Sequence, residues 1–97
     1  MKVITICGSS KFEHEIKYYT EKLALEGNCV LSLNFPIKDK YTEEEKEILG
    51  KGHMKKISIS DAIFVVNKDG HIGKAVMAEI KYAKEQNKEI IYLENSK

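Results

Sequence analysis

Glu79 stands where a surface acid does not belong. The stretch Gly70-His-Ile-Gly-Lys-Ala-Val-Met-Ala-Glu-Ile-Lys-Tyr-Ala83 follows the apolar run Ala62-Ile-Phe-Val-Val66, so a strand feeds a glycine-bracketed turn and then a helix. At about 100° per residue, Ile72, Val76, Ile80 and Ala83 share one helix face. Glu79 falls only about 60° from Val76, away from Lys74, Lys81, Lys84 and Glu85. A carboxylate aimed at a core is costly unless something uses it or pairs with it. Either Glu79 serves a site, or it is a structural anion matched by Lys11 or a backbone amide.

Other residues could serve the same site. Gly8-Ser9-Ser10-Lys11 opens a helix after a strand, where a close backbone, free N–H groups and hydroxyls can hold an anion. A tight turn with a serine cap explains those residues equally well, and the chain has neither GxGxxG nor GxxxxGK[ST]. His53 recurs with Leu49 and Ile57 at intervals of four, which makes it either a core histidine or one that orients a substrate or a carboxylate. Asn67, Gly70, His71 and Gly73 follow the Ala62–Val66 run, and His71 between its glycines could line a crevice. His14 falls off its helix's apolar stripe and is expected in solvent. The three histidines lack metal-ligand spacing, so neither a metal site nor a cofactor is expected. Cys7 and Cys29 sit in strand-like runs without CxxC spacing and read as small buried hydrophobes in a reducing, cytoplasmic compartment.

Composition narrows the classes. The 97 residues suffice for one domain, 1–97, with a single core. A formal net charge of +1 provides no field for duplex nucleic acid or an acidic membrane surface. No apolar run approaches the roughly 18 residues of a membrane span, and the first residues are too soon broken for a signal peptide.

The elements that must position these side chains follow from period and punctuation. Lys2–Cys7 is a β-branched apolar run ending at Gly8, as expected of a strand buried on both faces. A helix is expected from Ser10 to about Glu26, with Phe12, Ile16, Tyr19 and Leu23 on one face and Gly27 as its cap. Asn28–Leu33 reads as a second strand. Thr42-Glu-Glu-Glu45 matches a capping box, opening a helix to Ser58 that Gly50 and Gly52 should loosen. Asp61 precedes the third strand, Ala62–Val66, and reads as a cap or turn residue. The Glu79 helix runs to about Asn87, Glu89–Leu93 is a fourth strand, and Glu94–Lys97 is a tail. This β-α-β-α-β-α-β order predicts an α/β fold: a flavodoxin/Rossmann-like three-layer sandwich around a four-stranded parallel sheet in order 2-1-3-4. That order puts a ligand crevice between strands 1 and 3, beyond their carboxyl ends. Two open sheet edges and a shallow crevice suggest a homodimer.

Three pieces together resemble the nucleoside 2-deoxyribosyltransferase family, including its 2'-deoxynucleoside 5'-monophosphate N-glycosidase branch. They are Ile6-Cys-Gly-Ser-Ser-Lys11, Ser60-Asp-Ala-Ile-Phe-Val-Val66, and Gly70 through Gly73 to Glu79-Ile-Lys-Tyr-Ala83. The resemblance implies a hydrolase or transferase acting on the N-glycosidic bond of a (deoxy)nucleoside or its 5'-monophosphate, with Glu79 as nucleophile. It further implies that Gly8, Ser9, Ser10 and Lys11 hold the sugar or 5'-phosphate. Where the family carries a second catalytic carboxylate, eight residues before Asp61, this chain has His53, a candidate proton donor to the leaving base. The alternative on the same fold is a non-catalytic nucleotide-binding or sensor module. Cys-Gly-Ser-Ser also begins the cytokinin-activating phosphoribohydrolases, but their PGGxGTxxE signature is absent.

Overall fold

Alternation along each strand decides which helix it meets. The computed structural model describes residues 1–94. Its elements are β1 (Val3–Gly8), α1 (Glu13–Leu25), β2 (Cys29–Leu31), α2 (Glu43–Ser58), β3 (Ala62–Val66), α3 (Lys74–Glu85) and β4 (Glu89–Tyr92). Short 3-10 turns at Ser10–Phe12 and Lys68–Gly70 follow β1 and β3. All pairings are parallel and the sheet order is β2-β1-β3-β4, the expected flavodoxin/Rossmann-like arrangement. In register, Cys7 faces Val65 and Gly8 faces Val66 across the β1–β3 pair.

Because side chains alternate along a strand, the two faces of the sheet carry different cores. Ile4, Ile6, Ala62, Phe64 and Val66 pack against Ile16, with Phe12, Tyr19 and Leu23 around them, so α1 covers one face. Cys7, Ile63 and Val65 pack against Ile57 of α2 and Val76, Ile80 and Ala83 of α3 on the other. β3 is buried along its whole length, whereas the edge strands β2 and β4 keep partly exposed residues.

Local chemistry sets the boundaries. Thr42 and Glu45 complete the capping box reciprocally, at 3.0 and 2.9 Å. Gly27, with φ of 99°, takes the left-handed turn after α1 that a side chain resists. Asp61 closes the amino end of the sheet, its carboxylate accepting from Val3 N–H at 2.8 Å. It is a structural residue at the end opposite the crevice, as expected.

Four expectations need correction. The first helix starts at Glu13, since the chain after Ser9 first makes a 3-10 turn. β2 is shorter than expected because its ladder with β1 covers only Cys29 to Leu31. α2 passes unbroken through Gly50 and Gly52, held by its cap and by packing at its far end. Of the expected tail from Glu94 to Lys97, only Glu94 lies among the described residues, and it is tied down. Its N–H donates to Asn67 Oδ1 at 2.8 Å and its carboxylate accepts from Asp69 N–H at 2.9 Å.

Candidate functional site

The carboxyl end of β1 is where α2 and α3 meet the sheet. β1 directs Thr5 and Cys7 to the same face, toward the two helices. Thr5 Oγ1 and Ser60 Oγ lie 2.6 Å apart, and both hydroxyls donate to the Lys56 carbonyl, at 3.1 and 2.6 Å. The Lys56 ammonium in turn donates to the Ser32 carbonyl at 2.6 Å, reaching the segment after β2. Buried polar groups satisfied in this way fix one geometry. The network pins the last turns of α2 against β1 and β2, and so sets where His53 points, one turn before the fully buried Ile57.

His53 Nε2 lies 3.6 Å from Cys7 Sγ and 3.3 Å from Glu79 Oε1. The imidazole thus sits between a thiol from β1 and a carboxylate from α3. The His53 and Glu79 side chains are 12% and 16% exposed, half in the core and half on a cavity, while Cys7 is fully buried. Burial, reinforced by the neighbouring Glu79 charge, pushes the Cys7 thiol well above its ordinary range, so it stays protonated. Glu79 is therefore neither a solvated acid nor a partner of Lys11. Its partner is His53.

His53 and Glu79 line a cavity of about 430 Å³, a size within the ~300–1,000 Å³ typical of small-molecule sites. Its walls include Gly8, Leu33 and Asn34, then Ile48, Leu49, Gly50 and Gly52 on α2, with His53, Lys56 and Glu79 completing the lining. Gly8 serves packing as well: a Cβ there would lie 3.1 Å from Val66 Cβ. A second depression, of about 450 Å³ beside α3, is lined by Gly70, Ile72, Met77, Ile80, Lys81 and Lys84 and presents no acid, thiol or imidazole.

Of the residues singled out from sequence, Gly8, His53 and Glu79 come together on the first cavity. The rest sit elsewhere. Ser9 caps the 3-10 turn, its Oγ accepting from Lys11 N–H at 3.3 Å. Ser10 is exposed, and the Lys11 ammonium lies over the Phe12 ring at 5.3 Å. Asn67 is buried with its amide spent on the Glu94 backbone, donating to Glu94 O and accepting from Glu94 N–H. Gly70 borders the second depression. His71 packs edge-on against Phe12 at 5.8 Å, next to Gly73. The loops after β1 and β3 thus meet each other at Phe12 and His71, and the cavity opens on the α2 side. His14 is exposed, as expected.

Two cysteine readings divide. Both thiols are free, and Cys29 is exposed rather than buried because it lies on edge strand β2. Cys7 is buried in the core as expected, and its Sγ also lies beside His53 Nε2. The signal for it was the parity of β1, which puts Cys7 on the same face as Thr5 and opposite Ile4 and Ile6. Histidine spacing alone also missed that Cys7, His53 and Glu79 bring ligand atoms within 4.8 Å of one another. Lys56 and Asn34 line the cavity without any sequence signature. No protein-family model matches the chain, and no curated protein does either.

Proposed function

We propose that the protein cleaves or transfers the N-glycosidic bond of a (deoxy)nucleoside or its 5'-monophosphate, with Glu79 as nucleophile and His53 as proton donor. The observation that carries this reading is the Glu79–His53 pair, 3.3 Å apart and facing a cavity at the carboxyl end of β1. Loss of a base leaves an oxocarbenium-like carbon that a carboxylate can stabilise or bond. Glu79 Oε bonds the anomeric carbon as the C–N bond breaks. The base departs with the electron pair and takes a proton from His53. Water or a second base then opens the glycosyl ester, giving hydrolysis or transfer, and His53 regains its proton. The Gly8 backbone and Lys56 are the groups on the cavity wall suited to the sugar or its phosphate. This step requires no cofactor.

One observation favours a second reading. Glu79 is the only carboxylate among the described residues lining the cavity, whereas glycoside cleavage ordinarily uses two. A module that binds nucleotides without turnover fits that lining. A thermal-shift panel of nucleosides and monophosphates, followed by assay of each hit for free base, separates the two. A ligand at ~100 times its dissociation constant adds about 2.7 kcal/mol, a rise on the order of 10 °C for a domain this size. Under the enzymatic reading a hit releases base, and Glu79→Gln slows release by about 10³-fold or more. Binding without release supports the module, and no shift with any nucleotide defeats both.

The same reading includes a homodimer in a reducing, cytoplasmic setting. Ile48, Leu49 and Met77 expose apolar surface on α2 and α3, and two thiols are free. Among the described residues no helix is long and apolar enough to cross a membrane. Sedimentation returning only an 11 kDa species counts against the dimer.

A further inference from the structure

We propose that Cys7, His53 and Glu79 bind one zinc ion, leaving a fourth coordination position open to the cavity. The three side chains come from β1, α2 and α3 and offer a sulfur, an imidazole nitrogen and a carboxylate oxygen within 4.8 Å of one another. Tetrahedral zinc bonds of ~2.3 Å to sulfur and ~2.0–2.1 Å to nitrogen and oxygen hold neighbouring ligand atoms about 3.3 to 3.6 Å apart. The observed separations are 3.6 Å for sulfur to nitrogen and 3.3 Å for nitrogen to oxygen. A direct charge-assisted hydrogen bond would draw nitrogen and oxygen to ~2.8 Å. Both separations from the imidazole are those of groups sharing an ion, and the sulfur and carboxylate lie within 4.8 Å of each other.

The donor set narrows the ion. Thiolate with imidazole suits zinc and disfavours calcium and magnesium, which take oxygen. The ligands are also held in advance: the Thr5–Ser60–Lys56 network fixes α2 against β1, and Ile80 and Ala83 bury α3 beside it. The ion reaches the site through the cavity that His53 and Glu79 line. On binding, the sulfur lone pair goes to the metal and the thiol proton leaves to solvent, one proton per ion. Three protein ligands and one open position are the pattern of zinc sites that take a water or a substrate atom. This inference stands apart from the glycosidic reading, since it needs three ligand atoms and no sugar. If both hold, zinc occupies Glu79 and inhibits base release.

Cobalt(II), a spectroscopic substitute for zinc, tests the site on the chelator-treated full chain. The expected result is one ion per chain, thiolate-to-cobalt charge-transfer absorption in the near ultraviolet, tetrahedral visible bands, and displacement by zinc. Cys7→Ser abolishes the charge-transfer band and Cys29→Ser retains it. Glu79→Gln and His53→Asn weaken binding by more than the ~10–100-fold that losing an outer-sphere partner costs. Should Cys7→Ser fail to fold by far-ultraviolet circular dichroism, X-ray absorption on the cobalt-loaded wild type decides. One sulfur at ~2.3 Å together with nitrogen and oxygen supports the site. No charge-transfer band in the wild type, no sulfur around the cobalt, or a band that survives in Cys7→Ser and disappears in Cys29→Ser overturns it.

Discussion

Burial raises the Cys7 thiol far above its ordinary 9.0, and that shift sets a sign for stability against pH. The unfolded chain ionises Cys7 above 9.0 while the folded chain keeps it neutral. The thiol's contribution is complete below 9.0 and is lost as pH rises beyond it, by about 1.4 kcal/mol per pH unit. Denaturant melts at rising alkaline pH should therefore fall more steeply for the wild type than for Cys7→Ala. An equal slope in the two would show that Cys7 ionises freely in the fold. The same burial predicts a split in reactivity. A thiol reagent should label the exposed Cys29 in the native protein and reach Cys7 only on unfolding.

At the scale of elements, α2 carries a local contradiction. Gly50 and Gly52 stand inside a 16-residue helix, and a Cβ built at either meets nothing within 4 Å. Each costs the helix roughly 0.5–1 kcal/mol relative to alanine, and both border the cavity. Their smallness keeps the wall thin where α2 faces the site. Gly50→Ala should raise the melting temperature by about 2–8 °C, the gain expected from removing that penalty. In the same variant any nucleotide hit should bind more weakly, because the added methyl group enters the cavity. A lower melting temperature would show that the open space at Gly50 is not free to fill.

For the molecule as a whole, the α1 face of the sheet, opposite the face that carries the cavity, is tied by charge. Lys68, after β3, reaches Glu15 on α1 at 2.8 Å. The Lys68 ammonium, helped by a backbone hydrogen bond, holds the Glu15 carboxyl below its ordinary 4.5, and Glu15 in turn raises Lys68. The sign follows from both shifts. The pair contributes stability between the ordinary carboxylate and lysine ranges; it is lost on the acid side as pH falls through the depressed Glu15 value. Lys68→Met should lower the melting temperature modestly at neutral pH, less so at high salt because both partners are partly exposed. The difference from wild type should vanish in acid. A difference that persists at low pH would mean that Lys68 acts through packing instead.

What the sequence determined by itself was whatever depends on neighbours along the chain. The succession of strands and helices, the Thr42 capping box, the Gly27 turn and the inward bearing of Glu79 all follow from period and punctuation, because hydrogen-bond geometry and side-chain alternation act over a few residues. His53 could be placed on an inner stripe, and Glu79 on another, but not against each other. That meeting required α2 and α3 to pack on one face of the sheet, as did the recruitment of Cys7, 46 residues from His53. Tertiary packing likewise joined the loops carrying Phe12 and His71, which removed Ser9, Ser10, Lys11 and Asn67 from the cavity and brought Lys56 to it. The physical reason is range. Local rules decide which way a side chain faces its own element, and only the closed sheet decides what it faces across the gap.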